Sequence, residues 1–469
     1  METSTTASAS SDPARDLELS AAFDSLNSFI DWRRVDEMMA LGPATIYTAS
    51  VTLWLLVYQG MYPRASLSSA VLHLINHRPA HLRDNKRLRN GTLSEATGSY
   101  SQARKRLTME VTEWFAGEVS RSLIGAAPPT FGDQRIYFFD GSTITLPAEP
   151  ELTKAFPPAS NQHGTSVFPT VLLVMAHELS SGCALIPEVG AMYGPNAVSE
   201  TALVPGLIAQ MPPNSIVLAD ANFGIYWVAY EAHRKGHNFL LRMTASRFRS
   251  LRQSAQLIEE GYTPEGLRWT TYRHFWKPSR SDRQKHPDLP VDATMSVMMH
   301  EIELHGGKIL SIVTDSTRSR EEVAQVYRLR GDIETDIKNF KVVLDGEHLR
   351  SLTVPMFRKE LLTSFVGYNL VCQFRRQAAK LGNVPPRRLS FTRVWNTFSE
   401  FLINTPLIDP IAARKQFDIA LRLASRMKLP NRPDRHYPRE AYWQTHKSHG
   451  FLKRQPRKLD TKSEDLPPK

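Results

Sequence analysis

Cysteine is almost absent: Cys183 and Cys372 are the only two in 469 residues, far apart and in no CxxC or Cys/His ligand spacing. That excludes a disulfide framework or a zinc finger as the organising feature, and a reducing cytoplasm fits. Long apolar runs are missing too. The most apolar window, Ala44 to Tyr62, is broken by Thr45, Thr48, Ser50, Thr52 and Gln59, and falls short of the ~20 residues that a bilayer span needs. It reads as a buried helix, with no membrane role. The leader from Met1 to Asp12 is Ser/Thr-rich and acidic, where a signal peptide is basic and then apolar, so it reads as disordered. No internal repeat is visible.

What is present is a hydrophobic fraction of 41%, enough to build two to four cores at this length. The net charge of +11 with only 22% charged residues implies a polyanionic partner, nucleic acid or an acidic membrane surface. After a leader over 1–16, apolar residues recur at helical spacing through 17–130, among them Phe23, Leu26, Ile30, Leu67, Val71 and Leu74. Basic clusters interleave at Lys86-Arg87, Arg89 and Arg104-Lys105-Arg106. Such clusters suit a DNA-binding surface or merely a solvated face. From Arg135 the texture changes to short apolar strand runs, first in a meander and then alternating with helices at 199–210 and 226–235, which points to an α/β domain with a mixed sheet. A polar, β-rich segment over 244–307 interrupts this plan, with aromatics at Trp269, Tyr272, Phe275 and Trp276. The α/β pattern resumes over 308–345, a helical region covers 346–410, and a basic, Pro-rich, partly disordered tail covers 411–469.

One stretch, Tyr327 to Lys341, organises the rest. Read as a single helix, it places Tyr327, Arg330, Glu334 and Lys341 within a sector of roughly 60°. Beside them Ile333, Ile337, Phe340 and Leu344 form an apolar stripe able to dock on a core. A carboxylate flanked by two cations is either a salt-bridged surface face or a phosphate-handling site. Asp140 and Asp220 each end an apolar strand run, where α/β folds keep their sites, although a lone Asp there is commonly a turn or cap residue. Three carboxylates converging in one cleft need cations to neutralise them, and oxygen-only ligands suit Mg²⁺ or Mn²⁺.

The spacing Tyr-x2-Arg-x3-Glu-x6-Lys at Tyr327, Arg330, Glu334 and Lys341 resembles the signature of DDE transposases of the insertion-sequence-4 type. Asp140-Gly141-Ser142-Thr143, Asp220-Ala221-Asn222-Phe223 and Tyr368-Asn369-Leu370 add to the likeness, which runs from about Phe23 to Phe398. The resemblance implies an RNase H-like catalytic core interrupted by a β-rich insertion. It makes Asp140, Asp220 and Glu334 the catalytic, metal-binding triad with two Mg²⁺ or Mn²⁺ ions, and Tyr327, Arg330 and Lys341 the phosphate contacts. In relatives that form DNA hairpins a Trp of the insertion stacks on a flipped base, which makes Trp269 and Trp276 candidates by position. Gly331 departs from the pattern, since relatives often carry a bulky residue there, and a glycine inside a helix costs about 1 kcal/mol relative to alanine. Asp133, Asp315, Asp332, Asp345 and His163 read as structural.

The expected activity is cleavage at the inverted ends of a bacterial insertion sequence and transfer of the freed 3′-hydroxyls to target DNA, by a homodimer in a synaptic complex at the nucleoid. Two alternatives stay open: an RNase H-like nuclease that cuts without joining, and a non-catalytic DNA-binding descendant.

Overall fold

Val171-Leu-Leu-Val-Met-Ala176 is apolar at every position because the strand carrying it is buried on both faces. It is the second strand of a nine-stranded sheet in a computed structural model that describes residues 28–42, 44–62, 64–77, 86–162, 164–343, 349, 351–404, 409–430, 441–442 and 450–451. The leader over 1–16, Phe23, Leu26, His163, Leu344, Asp345 and the last stretch from Thr461 lie outside the described residues. Two compact units divide the chain, Met1–Met427 and Lys428–Lys469.

In the first unit the strands are β1 (Ile136–Thr145), β2 (Ser160–Asn161), β3 (Gly164–Thr165), β4 (Thr170–Glu178), β5 (Glu188–Ala191), β6 (Ile216–Ala219), β7 (Asn238–Arg242), β8 (Gln256–Tyr262), β9 (Arg268–Trp276), β10 (Met295–Leu304) and β11 (Lys308–Thr314). The large sheet runs β5-β4-β1-β6-β7-β11-β10-β9-β8. Strands β1, β6 and β7 are mutually parallel, and every other neighbouring pair is antiparallel. The helix Tyr226–Arg234 makes the crossover between β6 and β7, as a parallel pair requires. The segment expected to interrupt the core does form strands, but β8, β9 and β10 extend the same sheet through β11, which lies antiparallel to β7. Strand β8 is the edge, and its exposed Glu259 and Glu260 protect it from pairing with another chain. The short apolar run Ala184–Ile186 makes only an isolated bridge, from Ala184 to His177.

The N-terminal segment folds as helices Trp32–Met39, Ala49–Met61, Leu67–His77, Lys86–Arg89, Gly98–Arg106 and Met109–Gly125. Thr48 and Thr108 cap two of them by accepting from Val51 N and Val111 N. Apart from Lys86–Arg89, these helices share one hydrophobic core with the sheet and with the 28-residue helix Val354–Leu381. Gly60 permits that contact, since a Cβ there would come within 2.9 Å of Ser364 Oγ. The helix Pro410–Ser425 also packs on this core through Phe417 and Leu421, although the sequence reads as tail from residue 411. Among the described residues no helix is long and apolar enough to cross a membrane. In the second unit, β12 (Ala441–Tyr442) pairs antiparallel with β13 (Gly450–Phe451).

Candidate active site

The parallel register between β1 and β6 ends at Phe139 opposite Ala219, so Asp140 and Asp220 are the next residues on neighbouring strands. Asp140 is the fifth of the ten residues of β1 and Asp220 directly follows β6, so both stand where the parallel register stops, the edge at which open α/β sheets form ligand sites. Asp220 accepts a hydrogen bond from Asn222 N at 2.9 Å, which fixes the turn after β6. Burial, and after it the Asp220 charge, are the main causes that raise the Asp140 pKa to about 6. The Gly141 N–H opposes the rise, Glu200 adds to it, and Lys341 opposes it again.

Glu200 is a fourth acid that the motif spacing does not reveal. It opens the helix Glu200–Gln210, and its carboxylate lies directly on Gly141, leaving no room there for a Cβ. Burial raises its pKa, and Asp220 raises it further. The signal in the sequence is faint: a Ser-Glu pair at a helix start, which is the ordinary pattern of helix N-termini.

The signature stretch is two helices, Arg320–Arg328 and Arg330–Val343, with Leu329 at the join, and this corrects the expectation of one. Ser319 opens the first with a capping box to Glu322. The join falls two residues before Gly331, whose missing side chain faces open space and whose helix propensity is poor. Gly331→Ala is therefore expected to stabilise the protein by about 0.5–1 kcal/mol. Thermal unfolding checks this, and an unchanged or lower Tm would count against it.

Tyr327, buried on the first helix, and Arg330 on the second remain in contact: Arg330 Nη1 donates to the Tyr327 hydroxyl at 3.2 Å. Arg330 Nη2 also pairs with Glu334 Oε1 at 2.5 Å, and the guanidinium lies 5.7 Å from the Phe138 ring of β1. Burial lowers the Arg330 pKa, but Tyr327, Glu334 and Asp220 outweigh it, so the net direction is up. Asp140 thus feels Asp220, Glu200 and Lys341, and Asp220 in turn acts on Glu200 and Arg330. The structure does not bring Glu334 onto the aspartate pair. Glu334 is half-exposed and held by Arg330 one turn away, and among the described residues no three His, Cys, Asp or Glu are disposed to hold a metal ion. The donor chemistry of the aspartate pair nonetheless suits a hard divalent cation, since two adjacent carboxylates that repel one another gain from a cation between them.

The ring contacts of the two tryptophans are made to other residues. Trp276 is 5% exposed and meets Tyr226 edge-on at 5.6 Å. Trp269 is half-buried, with the Arg320 guanidinium 3.4 Å from its ring and the backbone of Gly261 against its edge. Asp315 accepts from Asn238 Nδ2 and Phe239 N, and Asp133 accepts from Asn214 Nδ2. The first ties a loop to β7, and the second joins two loops.

Fold and site together define a mixed α/β protein with paired acids where its β1–β6 parallel register stops, under the influence of an arginine and a lysine. The chain belongs to the Transposase DDE domain family, which it matches over residues 131–370, just over half its length. A search of curated proteins gave no match. Among solved structures it is similar to the piggyBac transposase in a synaptic complex with hairpin DNA, at 9% identity and a TM-score of 0.39, covering 89% of this chain and 86% of that one.

Proposed function

We propose that the protein is a transposase of the insertion-sequence-4 type, encoded by a bacterial insertion element and acting on DNA at the nucleoid. One observation carries this: Asp140 and Asp220 stand side by side one residue past the last β1–β6 pair, with Arg330 and Lys341 close enough to act on them, in a chain of this family. The order β5-β4-β1-β6-β7, with β1, β6 and β7 parallel, is read as the RNase H-like core, and β8 to β10 as its insertion.

Asp140, Asp220 and Glu334 would hold Mg²⁺ or Mn²⁺, two ions per site, and Glu334 would have to leave Arg330 to do so. Such ions, when bound, activate an attacking oxygen and stabilise the leaving one in phosphoryl transfer. Arg330 and Lys341 orient the scissile phosphate by charge and hydrogen bonding, and Tyr327 keeps the Arg330 guanidinium aimed. The basic N-terminal helices recognise the inverted ends, with affinity that falls as salt rises, and two protomers pair two ends.

The test uses the DNA flanking the reading frame. Supplied with pre-cut ends bearing 3′-hydroxyls and a supercoiled target, the protein should yield joined products in Mg²⁺, and Asp220→Asn should yield none. Cutting without joining would make it a nuclease. DNA binding with neither activity, unchanged by Asp220→Asn, would make it a non-catalytic descendant.

A further inference from the structure

The helix Arg330–Val343 carries a second acid, Asp336, which is 1% exposed. Arg387 grips its Oδ2 with two nitrogens, Nε at 3.1 Å and Nη2 at 2.7 Å, and Arg375 Nη1 lies 3.6 Å from Oδ1. The two arginines come from different elements, the long helix Val354–Leu381 and the 3-10 turn Pro386–Arg388. Gly182, at φ +71 in the turn after β4, closes the remaining side.

At 100° per residue, Asp336 points about 140° away from the mean direction of Arg330, Glu334 and Lys341. It lies on the docked side beside Phe340, about 40° away around the helix. Phe340 packs on Phe365 at 4.2 Å and edge-on to Tyr368 at 5.8 Å. Such apolar contacts hold the helix down but tolerate rotation about its own axis. The fork of Arg387 on a single carboxylate oxygen is directional and does not. A rotation of about 20° would swing a side-chain tip, about 6 Å from the helix axis, through about 2 Å. A misplacement of about 1 Å can cost about 10²-fold in rate.

We infer that Asp336, pinned by Arg387 and Arg375, is a positioning residue that fixes which face of the signature helix is presented to Asp140 and Asp220. The inference rests on the reading of that site given above. It assigns Asp336 no contact with DNA or cation; it acts through Arg330, Glu334 and Lys341.

Three variants of the full chain test it, assayed for DNA affinity, single-turnover end cleavage and Tm. Asp336→Asn keeps the side-chain volume and should cut about 100-fold more slowly, with the Kd for end DNA changed by less than about twofold. The triple variant Asp336→Leu/Arg375→Leu/Arg387→Met replaces a buried charged cluster by apolar groups, which commonly restores stability. It should melt within a few degrees of the unaltered protein yet still cut about 100-fold more slowly. A triple variant that melts and cuts like the unaltered protein would show that Asp336 serves stability alone. If the triple variant does not fold, Asp336→Asn decides, and an unchanged rate there overturns the inference. Asp220→Asn is run alongside: were it to cut normally, the reading of the aspartate pair would be what failed.

Discussion

Asp140→Asn is expected to abolish DNA cleavage and at the same time make the protein more stable at neutral pH. The loss follows from removing one of the two paired carboxylates, and a preorganised charged group at a reacting centre is worth on the order of 10²–10³ in rate. The gain follows from the raised pKa of Asp140, about 6 against an ordinary 3.8. Between those two values the folded state keeps a proton that the unfolded state has released, so stability falls as pH rises through the window. Above pH 6 the whole penalty is present. Two pKa units are about 3 kcal/mol, and partial exposure reduces this to about 1–3 kcal/mol. Asparagine keeps the shape and removes the charge, so the Tm at pH 7.5 should rise by a few degrees, and the difference should vanish near pH 4. Added Mg²⁺ should raise the Tm of the unaltered protein more than that of the variant. A variant less stable than the parent at pH 7.5 would mean that Asp140 is better solvated than its surroundings imply.

That trade between stability and activity locates what was legible in the sequence. Asp140 and Asp220 are visible because each follows an apolar run, Ile136–Phe139 and Ile216–Ala219, although β1 itself continues past Asp140 to Thr145. The strands of the insertion are visible by their alternation. Their joining to the core sheet through β11 is not, since pairing partners lie outside any local window. Glu200 reaches Gly141 only because the helix after β5 packs over β4 and β5, beside β1, which no spacing encodes. Asp336 leaves a trace: it falls three residues after Ile333 and four before Phe340, an acid on the apolar stripe, and a buried acid at such a place needs a cationic partner. The join at Leu329 is hidden, because the residues around it carry helical periodicity on both sides. The aromatic positions Trp269 and Trp276 were legible as strand residues, but their packing against Arg320 and Tyr226 depends on distant elements.

The Tyr368-Asn369 pair, legible as a motif, turns out to be architectural, and Asn369→Leu should lower stability by about 3–5 kcal/mol. Asn369 is 1% exposed on the helix Val354–Leu381. Its Oδ1 accepts from Ala184 N at 2.8 Å, and its Nδ2 donates to Ser120 Oγ at 2.8 Å and to Ala184 O at 2.9 Å. One side chain thus pairs the backbone after β4 with the helix Met109–Gly125, while the neighbouring Tyr368 hydroxyl donates to Gly182 O at 3.0 Å. Leucine would leave the Ala184 N–H buried without a partner and remove two further bonds. A stranded buried group costs about 1–3 kcal/mol and each lost bond about 1 kcal/mol. Ser120→Ala should cost only about 1–2 kcal/mol, because Asn369 keeps both bonds to Ala184. Denaturant midpoints at constant m-value measure both. The contrast with Asp336 is the decisive part: Asn369→Leu should melt far earlier yet, well below its Tm, cut DNA at nearly the parental rate per folded molecule. An Asn369→Leu protein with parental stability would mean that the network is dispensable, and one that is stable but inactive would move Asn369 from the frame of the site into the site itself.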